Sequence, residues 1–564
     1  MAEPLSAILF QANPVLLGAS LLGTFLAVLV VCNVASQYAK FFTTVGIPPG
    51  PTPWPLVSSL GGLLVSPQHF DEWSLKMGRL YGGVFSIWNG GELVICATSQ
   101  EAIKEVLFTK DKDFASRPPV SDRVAYTVGS KSIEMAPYGD YWRQVRKLSV
   151  VHLFSHKAVA GNTVVRQEET EALICNLKRE CAEKGGFVEP RNHVARAMLN
   201  TMMRPLFGVR FGAPGECGFT PTGEALYECL QESFHQLGGF DWGAFLPRVL
   251  EPLFNRDVRK TAAMRDRELQ AIIDARRAAK KLAGPAFVPT TVVDVLLSAS
   301  NNKEQEVAQE PLPFLLDLLN GAVDTSGVSI EWILAEITRR PAIRRRLHAE
   351  IDEVVGRDRP VCEEDLKNMP YLRAVVKEHF RFQGVGPFLV PHMNEHESDD
   401  PGLQGTSKDH GAASHPGHLA NLRNQINLIE TPKSIKIDVH CTYPSQFYRT
   451  DVEFPHWQVL LHTRGISRDP AVFPRADEFL PERFLEDDVD ITGKDIRVLP
   501  FGAGRRGCPG ANQGLLIIQL AIGRILQTFD VELIDGQDIS LEEESSGWAL
   551  ALKTPLRVKC TLRV

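Results

Sequence analysis

The chain has no Cys-x-x-C pair and no regular cysteine spacing, although ten cysteines are scattered through its 564 residues. It is therefore neither a disulfide framework nor a zinc ribbon, and at most a single thiol should carry chemistry. It also lacks a basic tract. Its 61 Lys and Arg are spread along the whole length against 68 Asp and Glu, a formal charge of −7, which disfavours a nucleic-acid partner. No internal repeat is present. With apolar residues at 44% and charged residues at 23%, a wholly disordered chain is excluded. A prior of about 150 residues per domain suggests three or four domains, with one large domain as the other reading.

Charge is missing once more, between Glu3 and Lys40, and residues 15–35 (VLLGASLLGTFLAVLVVCNVA) are almost uniformly apolar. About 20 such residues span a bilayer as a helix. A cleaved signal peptide has a shorter apolar core, about 7–15 residues, behind a basic start, and no Lys or Arg precedes this stretch. Residues 1–40 thus read as an uncleaved anchor made of membrane-embedded chain, and Lys40 on its C-terminal side favours a cytosolic body. The prolines from Gly46 to Pro55 fix φ and remove backbone donors, so residues 41–69 read as a stiff strap that neither helixes nor pairs in a sheet.

From about Phe70 to the C-terminus (70–564) amphipathic patterns dominate, with helices expected over 168–184, 258–282 and 329–355 and short strands over 83–88 and 93–96. The fold class is mainly α with small β-sheets. The basic clusters Arg339, Arg340, Arg344, Arg345, Arg346 and Arg276, Arg277, Lys280, Lys281 read as solvated helix faces, or as a docking surface for an acidic partner.

The most informative stretch is Phe501-Gly-Ala-Gly-Arg-Arg-Gly-Cys-Pro-Gly510, followed by a long apolar run. Its glycines, Gly504 and Gly510 among them, describe a tight loop whose backbone can approach a flat ligand, and backbone N–H groups at the following helix start favour a Cys508 thiolate able to ligate a metal. The plainer reading, an inert buried cysteine, does not account for so specific a pattern. Elsewhere, Glu378 and Arg381 stand at i and i+3 in Lys377-Glu-His-Phe-Arg381, Arg483 follows in Pro481-Glu-Arg-Phe484, Trp142 and Arg146 form W-x-x-x-R, and Asn320-Gly-Ala-Val-Asp-Thr-Ser326 lies in a helical pattern.

With these motifs the chain resembles the cytochrome P450 family, in particular the membrane-bound enzymes of land plants, from about Pro48 to the C-terminus. The resemblance implies a P450 fold behind one transmembrane helix. It makes Cys508 the axial ligand of a haem b iron, with Phe501 packed beside it and Arg506, Trp142, Arg146 and His392 at the propionates. Glu378, Arg381 and Arg483 become a buried structural triad. Thr325 would bend its helix and steady bound oxygen, and Asp324 would relay protons. Val124, Val128, Ala322, Val385, Phe388 and Trp548 become substrate-facing candidates. Ala322 stands where related enzymes commonly carry glycine.

The reaction implied is insertion of one atom of dioxygen into a small apolar or aromatic substrate. Electrons come from NADPH through a reductase, NADPH-cytochrome P450 reductase, at the endoplasmic reticulum membrane. Residues 483–501 look like those of plant phenolic-ester 3-hydroxylases, which suggests a phenylpropanoid or flavonoid. Two other classes are a P450-like peroxide isomerase or dehydratase, which typically lacks the threonine, and a membrane-anchored binding protein without turnover. One break interrupts the resemblance: residues 394–463 hold seven of the fifteen histidines at irregular spacing and match nothing in the family, so they read as an atypical insertion or a gene-model error such as translated intron, with loss of the hairpin expected there.

Overall fold

The computed structural model describes residues 14–44, 47–53, 59, 70–127, 129, 131–212, 219–237, 254–299, 307–394, 436–437, 452–453, 458–534, 538–546 and 549–563. Helix α1 (Pro14–Thr43) carries a 20-residue span, Gly23–Phe42, with mean hydropathy 1.5 and none of it buried. At 1.5 Å per residue that span covers about 30 Å, the thickness of a bilayer core. The helix runs past Lys40, so the anchor ends a few residues later than its charge pattern suggests. The strap does not hang free: the Pro48 and Pro49 carbonyls accept hydrogen bonds from Ser86 Oγ (2.8 Å) and Ser86 N (3.0 Å), and Tyr38 Oη donates to Pro53 O (2.8 Å). Proline removes a donor but keeps its acceptor, which is why the expected inability to pair with a strand is only half true.

After α2 (Phe70–Tyr81) come β1 (Val84–Asn89) and β2 (Glu92–Ala97), an antiparallel pair joined at Gly90-Gly91, where the positive φ of Gly90 suits a two-residue turn. The body is helical: α3 (Asp140–Ser149), α4 (Thr163–Glu183), α5 (Pro190–Phe207), α6 (Pro221–Leu237), α7 (Arg256–Ala283), α8 (Pro311–Arg339), α9 (Pro341–Val354), α10 (Pro370–Phe382) and, after the break, α11 (Ala511–Thr528). α8 is apolar on nearly every side and is therefore buried, packed against α5 and α11 at the centre of the largest core cluster. The single helix expected over 329–355 is two. Pro341 has no N–H and forces Arg340 out of helical geometry, so α8 stops and α9 begins with proline at its first position.

The basic clusters lie on partly or fully exposed helix faces, as expected, with Arg344 the buried exception, and several members pair with acidic groups. Arg344 is buried, its guanidinium meeting the Val531 carbonyl, Asp530 and Glu532; Arg339 pairs with Asp538, Arg340 with Glu336, Arg346 with Glu482 and Arg276 with Asp294. Apart from Arg340, whose partner lies one turn back in α8, these pairs tie helices to neighbouring segments, a job that charge spacing alone does not reveal.

The break is narrower than its expected bounds. Strand β3 (His392–Met393) and β4 (Gln458–Leu461) complete a four-stranded sheet in the order β1-β2-β4-β3, with β4 parallel to β2 and antiparallel to β3. Beyond β4, His462 and Arg464 are buried; Arg464 joins Asp71 and Glu543, and His462 Nε2 lies 2.6 Å from Asp71. Residues 458–463 are thus core. Of the rest of the break only 394, the short pair 436–437 with 452–453, and nothing else is described; the remainder of the suspected insertion lies outside the described residues. The body contains two further small sheets, one joining Phe187–Val188, Val558–Leu562 and Phe529–Glu532, the other Glu543–Ser546 with Ala549–Leu552.

Candidate active site

A cavity of about 330 Å³ lies between α8, α3, α5, the segment from Val385 to His392 and the loop that precedes α11. Cys508 faces it. The loop is fixed by Cys508 N donating to Phe501 O (2.8 Å), and Phe501 packs on Phe380 with ring centroids 5.1 Å apart. Gly504 has φ +63°, and a Cβ there would run into Asp111 and the Leu107 carbonyl, so glycine is required twice over. Helix α11 begins at Ala511, and the amides of Gly510 and Ala511 point at the sulfur. Burial nonetheless outweighs these donors and Arg146, pushing the Cys508 thiol up. A bound metal deprotonates such a ligand outright, and the amides and Arg146 would then favour the thiolate.

One region of the cavity wall is cationic. Arg506 donates to the carbonyls of Ala115, Ile133 and Ala136 and lies over the Trp142 ring, 4.5 Å from its centroid. Trp142 Nε1 donates to Ile133 O (2.9 Å), so its donor is spent on the protein, unlike the propionate contact the resemblance implies. Arg146 differs: its guanidinium opens on the cavity and meets no hydrogen-bond acceptor among the described residues. His392 is buried with Nδ1 2.8 Å from Phe114 O, and desolvation with Arg117 and Arg506 nearby lowers it to about 3, leaving a neutral ring. Arg117, which no motif marked, donates to Glu134 O (2.9 Å), Val390 O (3.1 Å) and Pro391 O (2.9 Å). Desolvation lowers it to about 10, still cationic at neutral pH. One thiol, apolar walls and these arginines are the donor set that a flat dianionic metal complex needs.

On α8, Gly321 leaves open space toward the cavity, and Ala322 lines it. Thr325 Oγ1 donates to Gly321 O (2.7 Å) and Ser329 Oγ donates to Thr325 O (2.8 Å), within a helix that runs unbroken from Pro311 to Arg339. Asp324 is turned toward α6, where Gln231 Nε2 lies 3.4 Å from its Oδ1. Val385 and Phe388 line the cavity. Val124 does not: it sits on a short helix, Asp122–Thr127, packed against α6 and α7. Val128 and Trp548 lie outside the described residues, and Ala549 beside the latter lines the cavity.

Behind the cavity Arg381 grips Glu378 in two bonds (Nε to Oε2 2.7 Å, Nη2 to Oε1 2.8 Å), both side chains fully buried, and also donates to the carbonyls of Ser467, Ala476 and Glu478. Arg483 reaches the same carboxylate at 3.3 Å, and Leu480 N donates to it at 2.7 Å. Residues missed by sequence reasoning are Arg117, Glu134 and Asp317, all on the cavity wall; no periodicity or motif sets them apart.

A pocket with one cysteine on a glycine-rich loop, a helix carrying Gly-x-x-x-Thr beside it and arginines converging on part of its wall has the make-up of a haem-thiolate site. The chain belongs to the cytochrome P450 family: the Cytochrome P450 model matches residues 48–404 and 456–561. Similar proteins include Cytochrome P450 98A1 of Sorghum bicolor, 30% identical with 91% of this chain and 90% of that one covered, and Flavonoid 3′-monooxygenase CYP75B137 of Crocosmia x crocosmiiflora, 32% identical with 91% and 92% covered. A zebra fish cytochrome P450 solved with progesterone shares the fold, with TM-score 0.66 and 21% identity over 87% of this chain and 99% of that one. The chain is a P450 monooxygenase, a class that implies haem, dioxygen and a reductase, and α1 fits membrane anchoring.

Proposed function

We propose that the chain hydroxylates a small apolar or aromatic molecule of the phenylpropanoid or flavonoid kind, with electrons from NADPH through NADPH-cytochrome P450 reductase, at the endoplasmic reticulum membrane with the body in the cytosol. The observation that carries the reading is the opening of the Cys508 thiol and the Thr325 hydroxyl on the same largely apolar cavity. The names of similar proteins support the substrate class, Trans-cinnamate 4-monooxygenase of Sorghum bicolor among them at 29% identity.

The protein's own part follows from its side chains. Arg146, with Arg117 and Arg506 behind it, holds an anionic edge at the cationic part of the wall, and Cys508 supplies the sulfur ligand. Val385, Phe388 and Ala549 exclude water and orient an aromatic ring. The Thr325 hydroxyl, whose proton goes to Gly321 O, presents its lone pairs to the cavity and can take and return a proton there. Asp324 lies behind it on the route to α6, placed to pass protons inward. When bound, haem b activates dioxygen for insertion, the thiolate favouring O–O cleavage.

Recombinant protein, reduced in the presence of carbon monoxide, should show the red-shifted Soret band of thiolate ligation, lost in Cys508→Ala. With added reductase and NADPH it should hydroxylate a phenolic ester or a flavonoid. A thiolate band in Cys508→Ala defeats the ligand assignment, and turnover confined to other compound classes defeats the substrate class.

A further inference from the structure

Glu134 is an anomaly of the cavity wall. Its segment is pinned from both sides: Glu134 N donates to Asp317 Oδ2 on α8 (3.1 Å), and Glu134 O accepts from Arg117 Nε (2.9 Å). With its backbone so fixed, the side chain lines the cavity, near Asp317, and its carboxyl accepts no hydrogen bond from the described residues. Arg117 is close enough to act on it electrostatically, but its printed contacts are to backbone carbonyls and no ion pair joins the two side chains. Burial raises the carboxyl to about 7 against the pull of Arg117, and the neighbouring Asp317 is held well above the usual carboxylate range by burial and by Glu134 itself.

A carboxyl in an apolar cavity with no donor of its own is costly to keep. Asp317 has a structural occupation, since it accepts the amides of the Glu134 segment; Glu134 has none. The arginines nearby relieve it only in part: Arg117 acts on it through its charge while its Nε and Nη1 serve carbonyls, Arg506 is bound to carbonyls, and Arg146 faces the anionic edge of the haem that the family implies. What the carboxyl lacks is a hydrogen-bonded cation or donor, and it lines the same cavity as Val385, Phe388 and Ala549, the residues that the proposed function assigns to substrate.

We propose that Glu134, backed by Asp317, is the specificity-determining acidic contact of the substrate pocket and receives a positively charged nitrogen carried by an otherwise apolar or aromatic substrate. The inference rests on the monooxygenase reading and narrows its substrate class to phenylpropanoid-type molecules that carry an amine, such as a phenolic acid joined to an amino side chain: the aromatic skeleton packs on Val385, Phe388 and Ala549 while the ammonium group meets Glu134. One charge-assisted contact of this kind corresponds to at least about a ten-fold gain in affinity over a neutral ligand of the same shape.

The test uses full-length protein in detergent and two aromatic probes of equal shape, an aryl-alkyl trimethylammonium ion and its neutral tert-butyl counterpart; the quaternary nitrogen has no lone pair with which to ligate iron. Binding is measured by calorimetry. The wild-type protein should prefer the cation by about ten-fold or more, and Glu134→Gln, which keeps the shape, should remove the preference without weakening the neutral probe. Equal binding of both probes to the wild-type protein overturns the proposal, and so does a preference that survives in Glu134→Gln. The wild-type comparison decides alone if the variant does not fold. The thiolate band, recorded on the same samples, separates the two readings: its absence refutes the monooxygenase assignment, while its presence with no preference for the cation refutes only the role of Glu134.

Discussion

Replacing Glu378 by Ala removes the acceptor of four donors: two nitrogens of Arg381, Arg483 and the amide of Leu480. Arg381, wholly buried, keeps the carbonyls of Ser467, Ala476 and Glu478, so its charge stays inside with two of its five hydrogen bonds and its only counter-charge there gone. Breaking a buried pair from one side costs about 3–5 kcal/mol, two to four powers of ten in the folding equilibrium and a large share of an ordinary domain's stability of about 5–15 kcal/mol. Arg483→Ala is a milder change. Arg483 is partly exposed, touches Glu378 at 3.3 Å, and leaves the Arg381 bonds in place, so about 1–2 kcal/mol is expected. The expected order of damage is Glu378→Ala and Arg381→Ala together, then Arg483→Ala. Urea unfolding followed through the thiolate band gives the order, and the half-life of haem loss at a fixed temperature gives it again if unfolding is irreversible. A Glu378→Ala protein with the wild-type midpoint, or an Arg483→Ala protein as damaged as Arg381→Ala, would refute the reasoning that desolvation and hydrogen bonding set these costs.

Thr325→Ala should still bind haem and oxidise NADPH, but with oxygen released as hydrogen peroxide in place of product, because the cavity then loses the hydroxyl that handles protons; product yield per NADPH checks it, and unchanged coupling means another group serves. His379 is buried with no hydrogen-bond partner at either nitrogen among the described residues, and desolvation lowers it to about 3. The unfolded imidazole takes a proton near pH 6.5 and the folded one resists, so its contribution is complete above about pH 6.5 and is lost as pH falls toward 3. His379→Leu should flatten that acid limb, and denaturant midpoints at pH 7.5 and pH 5 that fall as far as in the wild-type protein would count against it. Deleting residues 405–455 should leave haem loading intact, because Met393 and Gln458 are register partners in adjacent antiparallel strands and the residues that remain, 394–404 and 456–457, are more than enough to loop between them. Loss of the thiolate band in the deletion protein, together with a transcript that contains those codons, would show the segment to be native.

The tight glycine-rich loop before Cys508, the apolar N-terminal helix and the mainly helical class were legible in the sequence because each rests on local rules: φ at glycine, a run of about twenty apolar residues, a period of three to four. Even the triad could be read, since Glu378 and Arg381 share one helix turn. Other features come from contacts between segments far apart in sequence, and no local pattern encodes them. The fate of the arginines is one: Arg344 and Arg346 look alike in a basic helix, yet the first is buried against Val531 and the second lies at the surface with Glu482. The C-terminal limit of the atypical stretch is another, fixed by the pairing of Gln458–Leu461 with Glu92–Ala97 across more than half the chain. Glu134 is the clearest. In the sequence it is one of the 68 acidic residues, and only the folding of Asp317 onto its amide and Arg117 onto its carbonyl turns its carboxyl into a cavity where no protein donor answers it.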